Sequence, residues 1–280
     1  MKKLSVIQAF LIFAIAFLLI VVSQWASQFV FLIPLFNESA DLAFEISSLI
    51  IFMILYSILL KVLGTNHLLN RQLYLFRFQI EWLILAILLP LVLLGATFFL
   101  VPGEWEIGWQ RDQSVFYQIL YLLFVDFIGG ALQEELVFRG IGLDLFSASL
   151  NKWLGILLPA TLFSTMHLIN KPLDNQSMIL LLVSGFLVSV MFSLIAYVEE
   201  SVWASSLCHI LLNGIPSVIY FVNPSVETEL SYAPIYYLMR SNNPYLTGGE
   251  YSLLTSGTAI ILYLIVIYYF YRRGIRKKHF

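Results

Sequence analysis

Residues 115–139 read VFYQILYLLFVDFIGGALQEELVFR, an apolar run of 25 residues that carries Asp126, Glu134, Glu135 and Arg139. Crossing a hydrocarbon core of about 30 Å takes roughly 20 helical residues, so the run is long enough to span a bilayer. An ionisable side chain inside such a helix costs several kcal/mol unless it is paired or solvated. A span that keeps four of them holds either a site or a polar pair, and its reading sets both the fold class and the place to look for chemistry.

Working outward, the rest of the chain is built in the same way. Of its 280 residues 60% are apolar and only 11% charged, whereas soluble domains have about 25% charged residues; the mean hydropathy is +0.88. Apolar runs long enough for membrane helices recur at about Val6–Phe31, Ala43–Leu63, Ile80–Val101, Val115–Arg139, Trp153–Leu168, Met178–Val198, Val202–Val222 and Leu253–Tyr271. The first follows Lys2 and Lys3, continues past the 7 to 15 residues of a signal-peptide core and lacks a clean cleavage site, so it reads as an anchor. The expectation is an all-α polytopic bundle of about eight transmembrane helices, one integral membrane domain over residues 1–280 with a core at about 115–222, in the cell membrane.

Orientation follows from the distribution of lysine and arginine, which stay on the cytoplasmic side. With both termini cytoplasmic, Lys2, Lys3, Lys61, Arg71, Arg77, Arg139, Lys152, Arg272, Arg273, Arg276, Lys277 and Lys278 fall inside, and only Arg111, Lys171 and Arg240 fall outside. The net charge of −2 gives no basic surface for nucleic acid. Membrane lipid and a peptide or membrane protein are the partners to expect. The single cysteine, Cys208, can form neither an intramolecular disulfide nor a cysteine-based metal site and reads as a packing residue. Glu45 and Glu81 lie near span ends, where they can reach the headgroups.

Three short motifs carry the chemistry. In EELVFR, Glu135 and Arg139 stand four apart with the acid first, the favoured order for an ion pair along a helix. Glu134 is turned about 100° away and is left available as a general base. In FSTMH, Phe163 and His167 stack on one helix face; in HILLN, His209 and Asn213 do the same, offering an imidazole N–H and an amide NH2 as oxyanion donors. Singly, each motif also reads as a structural polar contact. Together they supply a base, a group to position its water and two donors, the set that peptide hydrolysis by activated water requires. Gly129 and Gly130 permit a bend or a close helix crossing beside them, and Asp126 lies two turns before Glu134.

In these motifs the chain resembles the CPBP family of intramembrane proteases, which includes the Rce1-type CAAX prenyl proteases: a double glutamate with arginine four after the second, phenylalanine with histidine four later, and histidine with asparagine four later. The resemblance covers about Phe127 to Asn213. It implies that Glu134 activates water with help from His167, that His209 and Asn213 stabilise the oxyanion, and that Glu135 and Arg139 brace the site, with Phe163 beside His167. A membrane-embedded or lipid-associated peptide is the substrate class to expect, and no cofactor is expected, with zinc as the alternative.

Two other readings compete. Glu134, His167 and His209 match a three-ligand zinc site with an open position, although HExxH is absent and Glu135, the base left over, is the partner expected for Arg139. A protein acting by binding, such as a bacteriocin self-immunity protein or a sensor-kinase modulator, is the non-enzymatic alternative. The outer segment 223–252, rich in Tyr and Pro, is long enough to fold over the outer face. One tension stands: with a loop after Arg139, Glu134 lies near the inner end of its span and His167 near the outer end of its own. They meet only if the fourth helix runs on past Gly140 or if 141–152 dips into the membrane. For orientation, a cysteine at Lys278 should react with a membrane-impermeant maleimide only after permeabilisation, while one at Asn242 reacts in intact cells; labelling of Lys278→Cys in intact cells would reverse the assignment.

Overall fold

The computed structural model describes residues 5–33, 39–63, 79–108, 115–169, 171–223 and 233–280. Lys2, Lys3, Arg71, Arg77 and Arg111, used above for orientation, lie outside these, as does the stretch 224–232 of the outer segment.

Helices occupy all eight expected segments: α1 Val6–Ser27, α2 Ala40–Val62, α3 Ile80–Leu100, α4 Val115–Ser149, α5 Lys152–Met166, α6 Asn175–Glu199, α7 Val202–Val218 and, after a short α8 at Pro244–Thr247, α9 Gly257–Arg276. Among the described residues six helices are long and apolar enough to cross a membrane. α5, with 15 residues, and α7, with 17, fall short of that length. The protein is a multi-pass helical membrane bundle.

Local chemistry sets several of the helix starts. Ser5 and Gln8 form a reciprocal capping box at α1, Asn151 accepts from the Trp153 and Leu154 N–H groups at α5, Asp174 accepts from Ser177 N at α6, and Ser256 accepts from Ala259 N at α9. Each satisfies backbone donors that a helix start leaves open.

α4 corrects the boundary expected at Arg139. It runs on to Ser149, with two stretches, Leu122–Gly129 and Leu136–Gly142, wound in the wider π form on either side of an α-helical piece, Gly130–Glu135. Such π turns inside a helix recur at functional sites. Gly129, with φ −23° and ψ −107°, departs from helical geometry where the first π stretch ends.

The longer helix resolves the tension in depth. Glu134 lies 15 residues before Ser149, and His167 lies 15 residues after Lys152. At 1.5 Å per residue the two legs of the α4–α5 hairpin are each about 22 Å. Arg139 is accordingly no cytoplasmic loop charge: it is fully buried in mid-helix, so it drops out of the orientation count.

Around this hairpin, α7 packs between α3 and α4, α6 lies against α5 and α9, and α1 pairs with α2. At one end of the bundle Arg273 meets Glu199 at 2.7 Å and Glu81 at 3.0 Å, and Lys277 meets Glu199 at 3.0 Å. These pairs join α3, α6 and α9, so Glu81 has a protein partner. At the other end is an element the all-α expectation missed: a small sheet of β1 Gly103–Ile107, β3 Ile235–Met239 and β2 Ile219–Val222 in the order β1-β3-β2. β1 pairs antiparallel to β3, with Gly103 opposite Met239, and β2 pairs parallel to it, with Ile219 opposite Ile235. Tyr237 packs against Trp105 and Phe221 with tilted rings, 4.7 and 4.8 Å between centroids.

The hairpin depends on a close approach at Gly155, where an added Cβ would meet Ser147 N at 2.8 Å and Leu143 O at 3.0 Å. Because these are backbone atoms, Gly155→Val should separate α4 from α5 and cost about 1–3 kcal/mol, measured as a lowered unfolding midpoint in detergent.

Candidate active site

The centre of the bundle is a buried ion pair. Arg139 Nη1 donates to Glu135 Oε1 at 2.8 Å, both side chains being 0% exposed. The other terminal nitrogen of the guanidinium donates to the Ser189 hydroxyl at 2.6 Å and the Ser189 carbonyl at 3.0 Å, and the guanidinium carbon lies 5.1 Å from the Phe163 ring centroid and 5.3 Å from that of Phe192. Ser189 and Phe192, both on α6, were not singled out from sequence. The available signal was small polar residues, Ser184, Ser189 and Ser193, buried along an otherwise apolar helix.

Glu135 has a second task. Its Oε1 faces His209 Nδ1 at 3.0 Å. An ionised carboxylate only accepts, so that ring nitrogen carries the proton and the imidazole is held in one orientation. Phe192 stacks on the same ring at 4.6 Å and 24°. His209 Nε2 then points toward Glu134 Oε2, 3.8 Å away, too far for a direct hydrogen bond. Glu134 is the less buried of the two acids, with 17% of its side chain exposed against 0% for Glu135, and it faces a cavity that Glu135 does not line.

His167 ends α5. Its Nδ1 lies 2.7 Å from the Phe163 carbonyl, which only accepts, so Nδ1–H donates and Nε2 is left with its lone pair. The ring also packs on Phe163 at 4.5 Å. The bundle closes here because Gly185 on α6 faces Ser164 on α5, whose hydroxyl donates to the Leu182 carbonyl at 2.7 Å, a small-residue crossing of the kind that lets membrane helices approach.

These side chains share one space. A cavity of about 200 Å³ is lined by Glu134, His167, His209 and Asn213, by Phe163 and Phe192, and by Asp126 on the first π stretch. Tyr251, Leu254, Thr255 and Tyr263, from the segment after β3 and from α9, complete its wall; none of these four was anticipated. All seven residues singled out by the three motifs are together, Glu134, His167, His209, Asn213 and Phe163 at the cavity and Glu135 and Arg139 directly behind it. Among the described residues no three His, Cys, Asp or Glu side chains converge in a metal-holding arrangement.

An apolar helical bundle that turns acid, imidazole and amide groups into one enclosed space defines a membrane protein with an internal polar site. Residues 116–215, which run from α4 into α7, match the model of the family described as type II CAAX prenyl endopeptidase Rce1-like, so this segment is similar to the Rce1-like proteases. Neither a comparison with curated proteins nor one with solved structures gives a match.

Breaking the central pair should be costly. Arg139→Met leaves the Glu135 carboxylate buried without its cation, a loss of about 3–5 kcal/mol. Glu135→Gln added to it removes the orphaned charge while keeping an acceptor for His209, so the double variant should regain part of that loss. Denaturant unfolding of both in detergent measures this; equal stability of the single and double variants would exclude charge burial as the cause.

Proposed function

We propose that the cavity hydrolyses a peptide bond of a membrane-embedded or lipid-associated peptide, using water activated by Glu134 and no other cofactor. The observation that carries this reading is the convergence of Glu134, His167, His209 and Asn213 on one space of about 200 Å³, large enough for water and a peptide backbone and closed enough for charges to act strongly.

The roles follow from donors and acceptors. Glu134, as the carboxylate, takes a proton from water. With its Nδ1–H committed to the Phe163 carbonyl, His167 accepts at Nε2 and orients the second water hydrogen, which aims the oxygen lone pair at the scissile carbonyl. The developing oxyanion takes hydrogen bonds from the Asn213 amide and His209. Since His209 Nδ1–H is engaged by Glu135, Nε2 donates only when the ring carries both protons; the imidazolium is then flanked by Glu135 and Glu134 and offers the oxyanion a full charge. Glu134 returns its proton to the leaving amine as the C–N bond breaks. Phe163 and the pair Glu135–Arg139 hold the two imidazoles in register. The protein would do this in the cell membrane.

The test is cleavage of a membrane-peptide library by the full-length protein in detergent. Glu134→Ala and His209→Ala should reduce cleavage to background, and Asn213→Ala should lower the rate about 10²–10³-fold, as loss of one oxyanion donor does elsewhere. Cleavage that survives a chelator supports the glutamate route. Loss on chelation with recovery on added zinc would instead give Glu134, His167 and His209 the part of ligands. No cleavage by any form, with Glu134→Ala still functional in cells, would favour a protein that acts by binding.

A further inference from the structure

The segment between β3 and α9 lies outside the family match, yet it supplies a wall of the cavity. The chain is fixed tightly there. Gly248 and Gly249 take consecutive left-handed conformations, φ 88° and 66°, and an added Cβ would meet the Ser252 carbonyl at 1.8 Å from the first and the Ser177 hydroxyl at 2.3 Å from the second. The Asn223 amide donates to the Gly249 carbonyl, Glu250 N–H donates to Ser177 Oγ at 2.9 Å, and Asp174 N–H donates to the Glu250 carboxylate at 2.7 Å. Thr255 Oγ1 donates to the Gly248 carbonyl at 2.7 Å and Tyr263 OH to the Leu254 carbonyl at 2.9 Å. Tyr251, between these anchors, has little freedom to move aside.

Its ring is at a boundary. Behind it is a second cavity of about 50 Å³, walled by Pro216, Tyr220, Phe221, Asn223 and Thr247 among others, and Tyr251 is the residue that lines both this space and the catalytic one. Burial first, and then the Glu134 carboxylate, raise the Tyr251 phenol to about 12, so the side chain stays neutral beside the site.

We propose that Tyr251 is a specificity-determining residue: its ring closes the catalytic cavity on one side and limits the substrate side chain that fits beside the scissile bond to small and medium sizes. The rear cavity is the room that a larger side chain would need. A partition held by backbone anchors discriminates by size because it cannot yield without breaking them. This inference rests on the proteolytic reading above.

The test uses the full-length protein in detergent and a membrane-peptide library randomised on both sides of the cleavage point. Tyr251→Ala should raise cleavage of peptides with Phe or Trp at one position at least tenfold relative to those with Ala, a change in the range that one or two methylenes give in an apolar pocket. Tyr251→Phe should keep the wild-type profile, and Tyr251→Trp should shift it toward Gly and Ala. A merely structural role scales every peptide equally, so variants that cleave with an unchanged profile overturn the proposal, and matched unfolding midpoints identify variants that remain folded. Product that persists in Glu134→Ala, or a library that no form cleaves, overturns the proteolytic reading and this role with it.

Discussion

Everything at the site is referred to one interaction, the buried pair of Glu135 and Arg139. Two charges taken into the interior of a membrane protein are costly unless they are paired and hydrogen-bonded, and that requirement draws in the neighbours. Arg139 reaches Ser189 on α6 and lies over the rings of Phe163 on α5 and Phe192 on α6. Glu135 reaches His209 on α7. One acid–base pair on α4 thereby fixes three helices around itself. The same carboxylate oxygen that accepts from Arg139 also accepts from His209, so the orientation of the imidazole is tied to the interaction that holds the bundle.

This arrangement separates two adjacent acids that look alike. Glu135 is spent on structure, with its charge neutralised by Arg139 and its oxygen committed to His209. Glu134, the next residue, is turned to the cavity and stands 3.8 Å from the far nitrogen of the same histidine. A helix makes the division without further help, because consecutive residues point about 100° apart. The π turns on either side of Gly130–Glu135 change the local pitch just where the two carboxylates are presented, and α4 then continues far enough beyond them for α5 to return to the level of Glu134.

The cavity is assembled from more of the chain than the motif-bearing core. α4, α5 and α7 bring the acid, imidazole and amide groups, α6 brings Phe192 and the small residues that let α5 approach, and the segment 244–256 adds Tyr251, Leu254 and Thr255 to the wall. That segment is held by Asn223 after β2 and by Asp174 and Ser177 at the start of α6. The small sheet and the α6 terminus thus act on the site through the loop they anchor, while the ion network of Glu81, Glu199, Arg273 and Lys277 ties the helices at the opposite end.

Much of this was legible in the sequence because membrane helices obey strong local rules. Length and apolarity determined where helices form, since a chain in lipid must satisfy its own backbone. Four-residue spacing determined that Glu135 meets Arg139, that Phe163 meets His167 and that His209 shares a face with Asn213. Spacing could not show that α4 continues past Gly140, because an apolar run that ends in a loop and one that descends further as a hairpin look the same in composition. Nor could it assign Ser189 to Arg139, Phe192 to His209 or Tyr251 to the cavity wall. Those contacts join residues distant in the chain, and nothing in local periodicity encodes which helix faces which. The sequence by itself determined the helices and the chemical groups they carry; only the tertiary structure decided their depth, their partners and the walls around them, because those depend on how apolar faces pack around one buried charge pair.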